Sequence, residues 1–62
     1  MNKVFYVVGE SLDGELIEYE FEGTLGNCEN DAKRVLTFVG GGHLDIFVSY
    51  DDHDEFVSDV EV

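Results

Sequence analysis

Carboxylates fill the stretches of this chain where side chains of defined spacing could do chemistry. In the run Glu15 to Glu22, read Glu-Leu-Ile-Glu-Tyr-Glu-Phe-Glu, residues alternate strictly from Ile17 onward. Successive side chains of a strand point to opposite faces, so Ile17, Tyr19 and Phe21 fall on one side and Glu18, Glu20 and Glu22 on the other. Carboxylates two apart on a strand stand about 6.5–7 Å from each other, twice the rise per residue. That step is comparable to the one between successive phosphates of a nucleic-acid strand. A row of anions at this spacing can occupy a groove lined with Lys and Arg that is built for a phosphate backbone. A half-buried strand needs a polar outer face in any case, yet Glu is a poor strand former and like charges on one face repel.

The second acidic cluster, Asp51-Asp52-His53-Asp54-Glu55, has residue types that could ligate a metal. It lacks the glycine and the spaced terminal Glu of a calcium loop, and five adjacent polar residues cannot all turn to one ion. A solvated turn is the simpler reading, and no metal or other cofactor is expected. Cys28, His43 and His53 match no zinc spacing. Cys28 sits on an apolar helical stripe, where a thiol behaves as a small hydrophobe, which also argues against a Cys-His nucleophile. Paired carboxylates on an open polar face are not poised for acid-base work, and a chain this short has little room for a substrate pocket. The expectation is a protein that is not an enzyme.

Fifteen acidic residues against three basic ones give a formal net charge of -12 on 62 residues, yet 44% of the residues are hydrophobic. Such a composition folds; it is not that of a disordered acidic tail. Self-repulsion predicts that added salt stabilises the fold, and the negative field disfavours direct binding to nucleic acid or to an anionic membrane. The natural complement is a basic protein. The lone cysteine excludes an internal disulfide and points to a reducing cytosol. Met1 to Val8 is too short and too lightly flanked for a signal peptide, and no apolar run approaches a membrane span. A cytoplasmic location is expected.

These side chains must be positioned by a small number of elements. Lys3 to Val8 is apolar on both faces, as a central strand is. Gly9 to Gly14 carries hairpin chemistry and leads into the acidic strand, Leu16–Glu22. From Cys28 to Val39 the period becomes helical, with Cys28, Ala32, Val35, Leu36 and Val39 on one stripe, Asn27 as N-cap, and Gly40 suited to the left-handed position that ends the helix. The glycines Gly40 to Gly42 are not followed by the Lys-Ser or Lys-Thr of a phosphate loop. Leu44 to Tyr50 alternates again, Asp51 to Asp54 turns, and Phe56 to Val62 makes a fourth strand with Phe56, Ser58, Val60 and Val62 on one side. The outcome is an α+β fold in one domain, residues 1–62: a four-stranded antiparallel sheet, ββαββ. A right-handed crossover through the helix sets the third strand beside the first, in the order 2-1-3-4, with the helix covering one face.

On the uncovered face this arrangement sets Glu18, Glu20 and Glu22 at one edge and Glu55, Asp59 and Glu61 at the other. Phe5, Val7, Phe47 and Val57 are expected between them. An apolar band with a polar rim commonly marks an interaction surface, and the same band would serve as a homodimer seam.

In its size, its excess of acid and its layout over Lys3–Val8, Leu16–Glu22, Cys28–Val39, Leu44–Tyr50 and Phe56–Val62, the whole chain resembles the small acidic inhibitors encoded by bacteriophages. That class includes anti-CRISPR proteins, antirestriction proteins and inhibitors of host nucleic-acid enzymes. The resemblance implies an inhibitor that acts in the host bacterial cytosol by occupying the nucleic-acid site of a CRISPR effector, nuclease, restriction enzyme or polymerase. It carries over no site residues. From the charge argument, the expected partner-binding residues are Glu18, Glu20, Glu22, Phe47, Asp51, Asp52, Asp54 and Glu55. The alternative is a homodimeric acidic accessory or assembly module joined through Phe5, Val7, Phe47 and Val57.

Overall fold

The structure, a computed structural model, describes residues 3–62. Its elements run β1 (Lys3–Ser11), β2 (Leu16–Gly23), α1 (Leu25–Phe38), β3 (Gly42–Ser49) and β4 (Asp54–Glu61). All neighbouring strands pair antiparallel in the order β2-β1-β3-β4, and α1 lies across one face of the sheet. This is the expected ββαββ arrangement. Strand β1 is an inner strand and offers apolar side chains to both faces, as β3 does with Phe47 opposite to its buried Leu44, Ile46 and Val48, whereas the Glu row of β2 suits an edge.

A four-residue connection, Leu12 to Glu15, joins β1 to β2. The Gly14 amide donates to the Ser11 carbonyl and the Ser11 amide to the Glu15 carbonyl. Gly14 sits at φ 83°, in the left-handed region where such loops require glycine. The resulting register sets Phe5 opposite Phe21, Val7 opposite Tyr19, Tyr6 opposite Glu20 and Val8 opposite Glu18.

The helix begins three residues before the expected start. Thr24, not Asn27, is the N-cap, and its hydroxyl accepts from the Asn27 amide at 3.2 Å. Glu29 and Asp31 accordingly lie beyond the first turn. At the other end Gly40, at φ 93°, takes the left-handed position, and the Gly41 amide donates back to the Leu36 carbonyl at 2.7 Å. With the Gly40 amide donating to the Thr37 carbonyl at 3.3 Å, this bond closes the helix in a Schellman motif and satisfies carbonyls that would otherwise lack partners.

Between sheet and helix lie Phe5, Val7, Cys28, Ala32, Leu36, Leu44, Ile46, Val48 and Val60. Ile17, Tyr19 and Phe21 of β2 pack against this core while remaining half-buried. Two expectations are corrected at this point. Phe5 and Val7 face the helix, at 3% and 0% exposure, and so do not belong to the uncovered face. In β4 a bulge sets Phe56 opposite Phe47 but Ser58 opposite Ile46, so Phe56 falls on the face opposite to Ser58 and Val60. The extra residue of a bulge breaks the two-residue period.

Burial raises the Cys28 thiol to about 11, with Asp31 and then Glu29 adding to the effect. The folded domain therefore keeps a proton that the unfolded chain releases near pH 9, so the stability tied to this group is complete below that pH and is lost as pH rises toward about 11. Urea midpoints taken at about pH 8 and about pH 10.5 should fall further for the wild type than for Cys28→Ala. An equal fall in both proteins would show that the thiol is not held protonated.

Candidate functional site: the open acidic face

The face of the sheet opposite the helix is set by the register. From β1 it takes Val4, Tyr6, Val8 and Glu10, the alternate set to the buried Phe5 and Val7. Residues directly paired with these share the face, so β2 adds Glu22, Glu20, Glu18 and Leu16, and β3 adds Phe47, Asp45 and His43. Strand β4 adds Asp54, opposite Ser49, then Phe56, Asp59 and Glu61.

Eight carboxylates thus share one surface: Glu10, Glu18, Glu20, Glu22, Asp45, Asp54, Asp59 and Glu61. No Lys or Arg lies among them. Lys33 and Arg34 are exposed on the helix across the sheet, and among the described residues no Lys or Arg forms an ion pair with a carboxylate. Among the described residues, the only cation-forming groups that approach acids are imidazoles, His43 on this face and His53 in the turn that follows β3. Like-signed groups crowded on one side project a directional field, which steers a basic partner toward that side.

A row of side chains crosses the face perpendicular to the strands: Glu20, Tyr6, Phe47, Phe56. The Tyr6 and Phe47 rings are 6.3 Å apart and tilted, and Phe47 meets Phe56 edge-to-face at 5.7 Å. Both separations fall in the range of favourable aromatic pairs. The Tyr6 hydroxyl donates to the Glu18 carboxylate. This hydrogen bond is the main cause of a raised Tyr6 pKa, with burial and the charges of Glu18 and Asp54 contributing less. It also ties one carboxylate of the β2 row to the aromatic row.

The residues singled out from sequence separate into three groups. Glu18, Glu20, Glu22 and Phe47 stand on the open face, the three Glu exposed and Phe47 half-buried between its aromatic neighbours. Asp51 and Asp52 lie in the turn, where Asp52 pairs with His53 at 2.6 Å. Asp54 reaches the open face, but Glu55, opposite Val48, belongs to the helix side. Residues 51–55 are therefore not a single second cluster, and Glu55 does not join Asp59 and Glu61 on the acidic rim.

The expected apolar band is also rebuilt. Phe5 and Val7 are core, and Val57, beside the bulge, lines a cavity of about 260 Å³ with Phe5, Val48 and Leu25 on the helix side. Of the four residues only Phe47 is on the open face, where Tyr6, Val8 and Phe56 replace the others. Tyr6 and Val8 could have been found from the hairpin: the loop register sets Phe5 opposite Phe21, whose side is already fixed as inward by alternation.

Cys28 and His43 lie on opposite faces of the sheet, the first in the core and the second exposed, so no Cys-His pair forms between them. Among the described residues, no helix is long and apolar enough to cross a membrane. No protein-family model, no curated protein and no solved structure matches the chain.

Proposed function

We propose that this domain is a non-enzymatic inhibitor that binds the basic nucleic-acid-binding groove of a host defence or nucleic-acid enzyme, in the manner of anti-CRISPR or antirestriction proteins. One observation carries the reading: Glu18, Glu20 and Glu22 stand exposed along the edge of a rigid sheet face that bears eight carboxylates and neither Lys nor Arg. The three Glu substitute for successive phosphates, and Tyr6, Phe47 and Phe56 offer apolar contact where the groove wall closes over the face. A sheet held by backbone hydrogen bonds presents these anions without a backbone ordering cost at binding, which favours affinity.

A homodimeric accessory module joined through the open face would use the same aromatic row, since Phe5 and Val7 are committed to the core. Such a seam brings two sets of eight carboxylates together, and like-charge juxtaposition opposes association. A cationic partner removes that opposition.

Affinity capture tests the reading. Immobilised domain is exposed at low salt to a nuclease-treated bacterial lysate and eluted with high salt. Retained proteins should be nucleic-acid enzymes, released by salt, whose activity the free domain inhibits in competition with DNA or RNA. Capture of proteins without nucleic-acid sites, or retention that salt does not weaken, would overturn it.

A further inference from the structure

One corner of the open face holds a set of side chains that the phosphate-row reading does not use. His43 and Asp45 are two apart on β3 and share a face, and Asp59 on β4 stands directly opposite Asp45. Their donor atoms converge. The Nε2 atom of His43 lies 2.9 Å from an Asp45 oxygen and 3.3 Å from an Asp59 oxygen. All three ligand atoms lie within 4.8 Å of one another, and they are the only group of three His, Cys, Asp or Glu side chains that converges so among the described residues. We propose that His43, Asp45 and Asp59 form a binding site for a divalent transition-metal ion of the zinc class, held by Nε2 and one oxygen from each carboxylate, with water completing the shell.

Spacing supports this first. In a four-coordinate zinc site with bonds of about 2.0–2.1 Å, tetrahedral geometry sets neighbouring donors about 3.3–3.4 Å apart. The 3.3 Å separation from Nε2 to Asp59 matches that value, and the 2.9 Å separation to Asp45 has to open by a few tenths of an ångström to accept an ion.

Lone pairs support it second. A neutral imidazole has at most one hydrogen on Nε2, and that hydrogen points toward one acceptor, whereas two anionic oxygens approach this nitrogen. A cation between them satisfies all three donors at once. Glu10 and Glu61, on either side of His43 across the sheet, deepen the local negative field and so raise the concentration of cations at this corner.

Donor type selects the ion. Calcium takes six to eight oxygen ligands and magnesium keeps most of its water, while an imidazole with two carboxylates suits zinc, cobalt or nickel. Backbone pairing between β3 and β4 holds Asp45 against Asp59, so the site is organised before the ion arrives. This assignment does not depend on the inhibitor reading, because it makes no use of Glu18, Glu20 or Glu22.

Calorimetric titration of chelator-treated protein with zinc chloride, and separately with calcium and magnesium chlorides, tests it, with thermal melting as a second readout. Zinc should saturate at one ion per chain and raise the melting temperature, as a ligand specific for the native state does. His43→Ala and Asp59→Asn should each weaken zinc binding about tenfold or more, and His53→Ala in the neighbouring turn should leave it unchanged. His43, Asp45 and Asp59 are close to half exposed or more, so these variants keep the fold, which circular dichroism verifies. Zinc that does not saturate, or that binds His43→Ala as tightly as the wild type, would overturn the proposal in favour of diffuse condensation on an acidic surface. Equal affinity for calcium or magnesium would overturn the choice of ion and of imidazole as ligand.

Discussion

With Glu18, Glu20 and Glu22 all replaced by Lys, the domain should fold as before and, on the proposed function, lose about a hundredfold or more of its affinity for a basic nucleic-acid-binding partner. Each replacement changes the charge by two, so the net charge moves from -12 to -6. The three side chains are exposed on an edge strand, where Lys is well tolerated and where removing like-charge repulsion favours the fold. In a cationic groove the effect is the reverse: each new Lys meets Lys or Arg, and like-charge juxtaposition costs several kcal/mol across an interface. The matching triple Gln variant should fall between the two and should show a weaker dependence of binding on salt, because fewer charged contacts remain to be screened. Tyr6 reports on the same change without any partner. Its raised pKa comes chiefly from the hydrogen bond to Glu18, so its ultraviolet titration should shift downward in the Lys variant. If the Lys variant inhibits as well as the wild type while Tyr6 shifts as expected, the β2 row is on the surface but is not the binding site.

The parts of this fold that follow from local physics are legible in the amino-acid sequence. Strict alternation in β2 places Tyr19 and Phe21 inward and Glu18, Glu20 and Glu22 outward; the helical stripe through Cys28, Ala32 and Leu36 is the buried one; Gly40 ends the helix with a positive φ. The sheet order follows from a central strand with two apolar faces and from the handedness of the crossover. What escaped depends on register. In Val4 to Val8 both alternate sets are apolar, so periodicity cannot say whether Phe5 and Val7 or Tyr6 and Val8 face the helix; only the pairing imposed by the Gly14 loop decides. In β4 one extra residue at the bulge reverses the alternation, which moves Phe56 to the open face and Glu55 off it. The helix start was obscured by Gly26, a poor helix former just inside a sound Thr24 cap. The convergence of His43, Asp45 and Asp59 is a tertiary fact, since Asp59 lies on a different strand and no linear spacing announces it.

Leu36→Ala should remove half or more of the stability of the domain. At about 0.05–0.15 kcal/mol per residue, 62 residues amount to about 3–9 kcal/mol in total. Replacing a fully buried Leu by Ala costs about 2–5 kcal/mol, the lost transfer energy plus the cavity left behind. Leu36 has no exposure at all and lies on the helix in the same cluster as Leu44, Ile46 and Val60 of the sheet, so few neighbours are free to collapse into the gap. Two residues further along the same helix, Phe38 is 91% exposed, and Phe38→Ala should change stability by only about 0.5 kcal/mol despite the larger side chain removed. Urea unfolding followed by far-ultraviolet circular dichroism gives both values. Moderate salt should raise the midpoint of the wild type and of Leu36→Ala together, because self-repulsion among carboxylates acts on either protein, while the gap between them persists because the cavity is indifferent to screening. A smaller loss for Leu36→Ala than for Phe38→Ala would mean that the helix does not seat on the sheet through this stripe, and the open face would then lose its claim to be the side left bare.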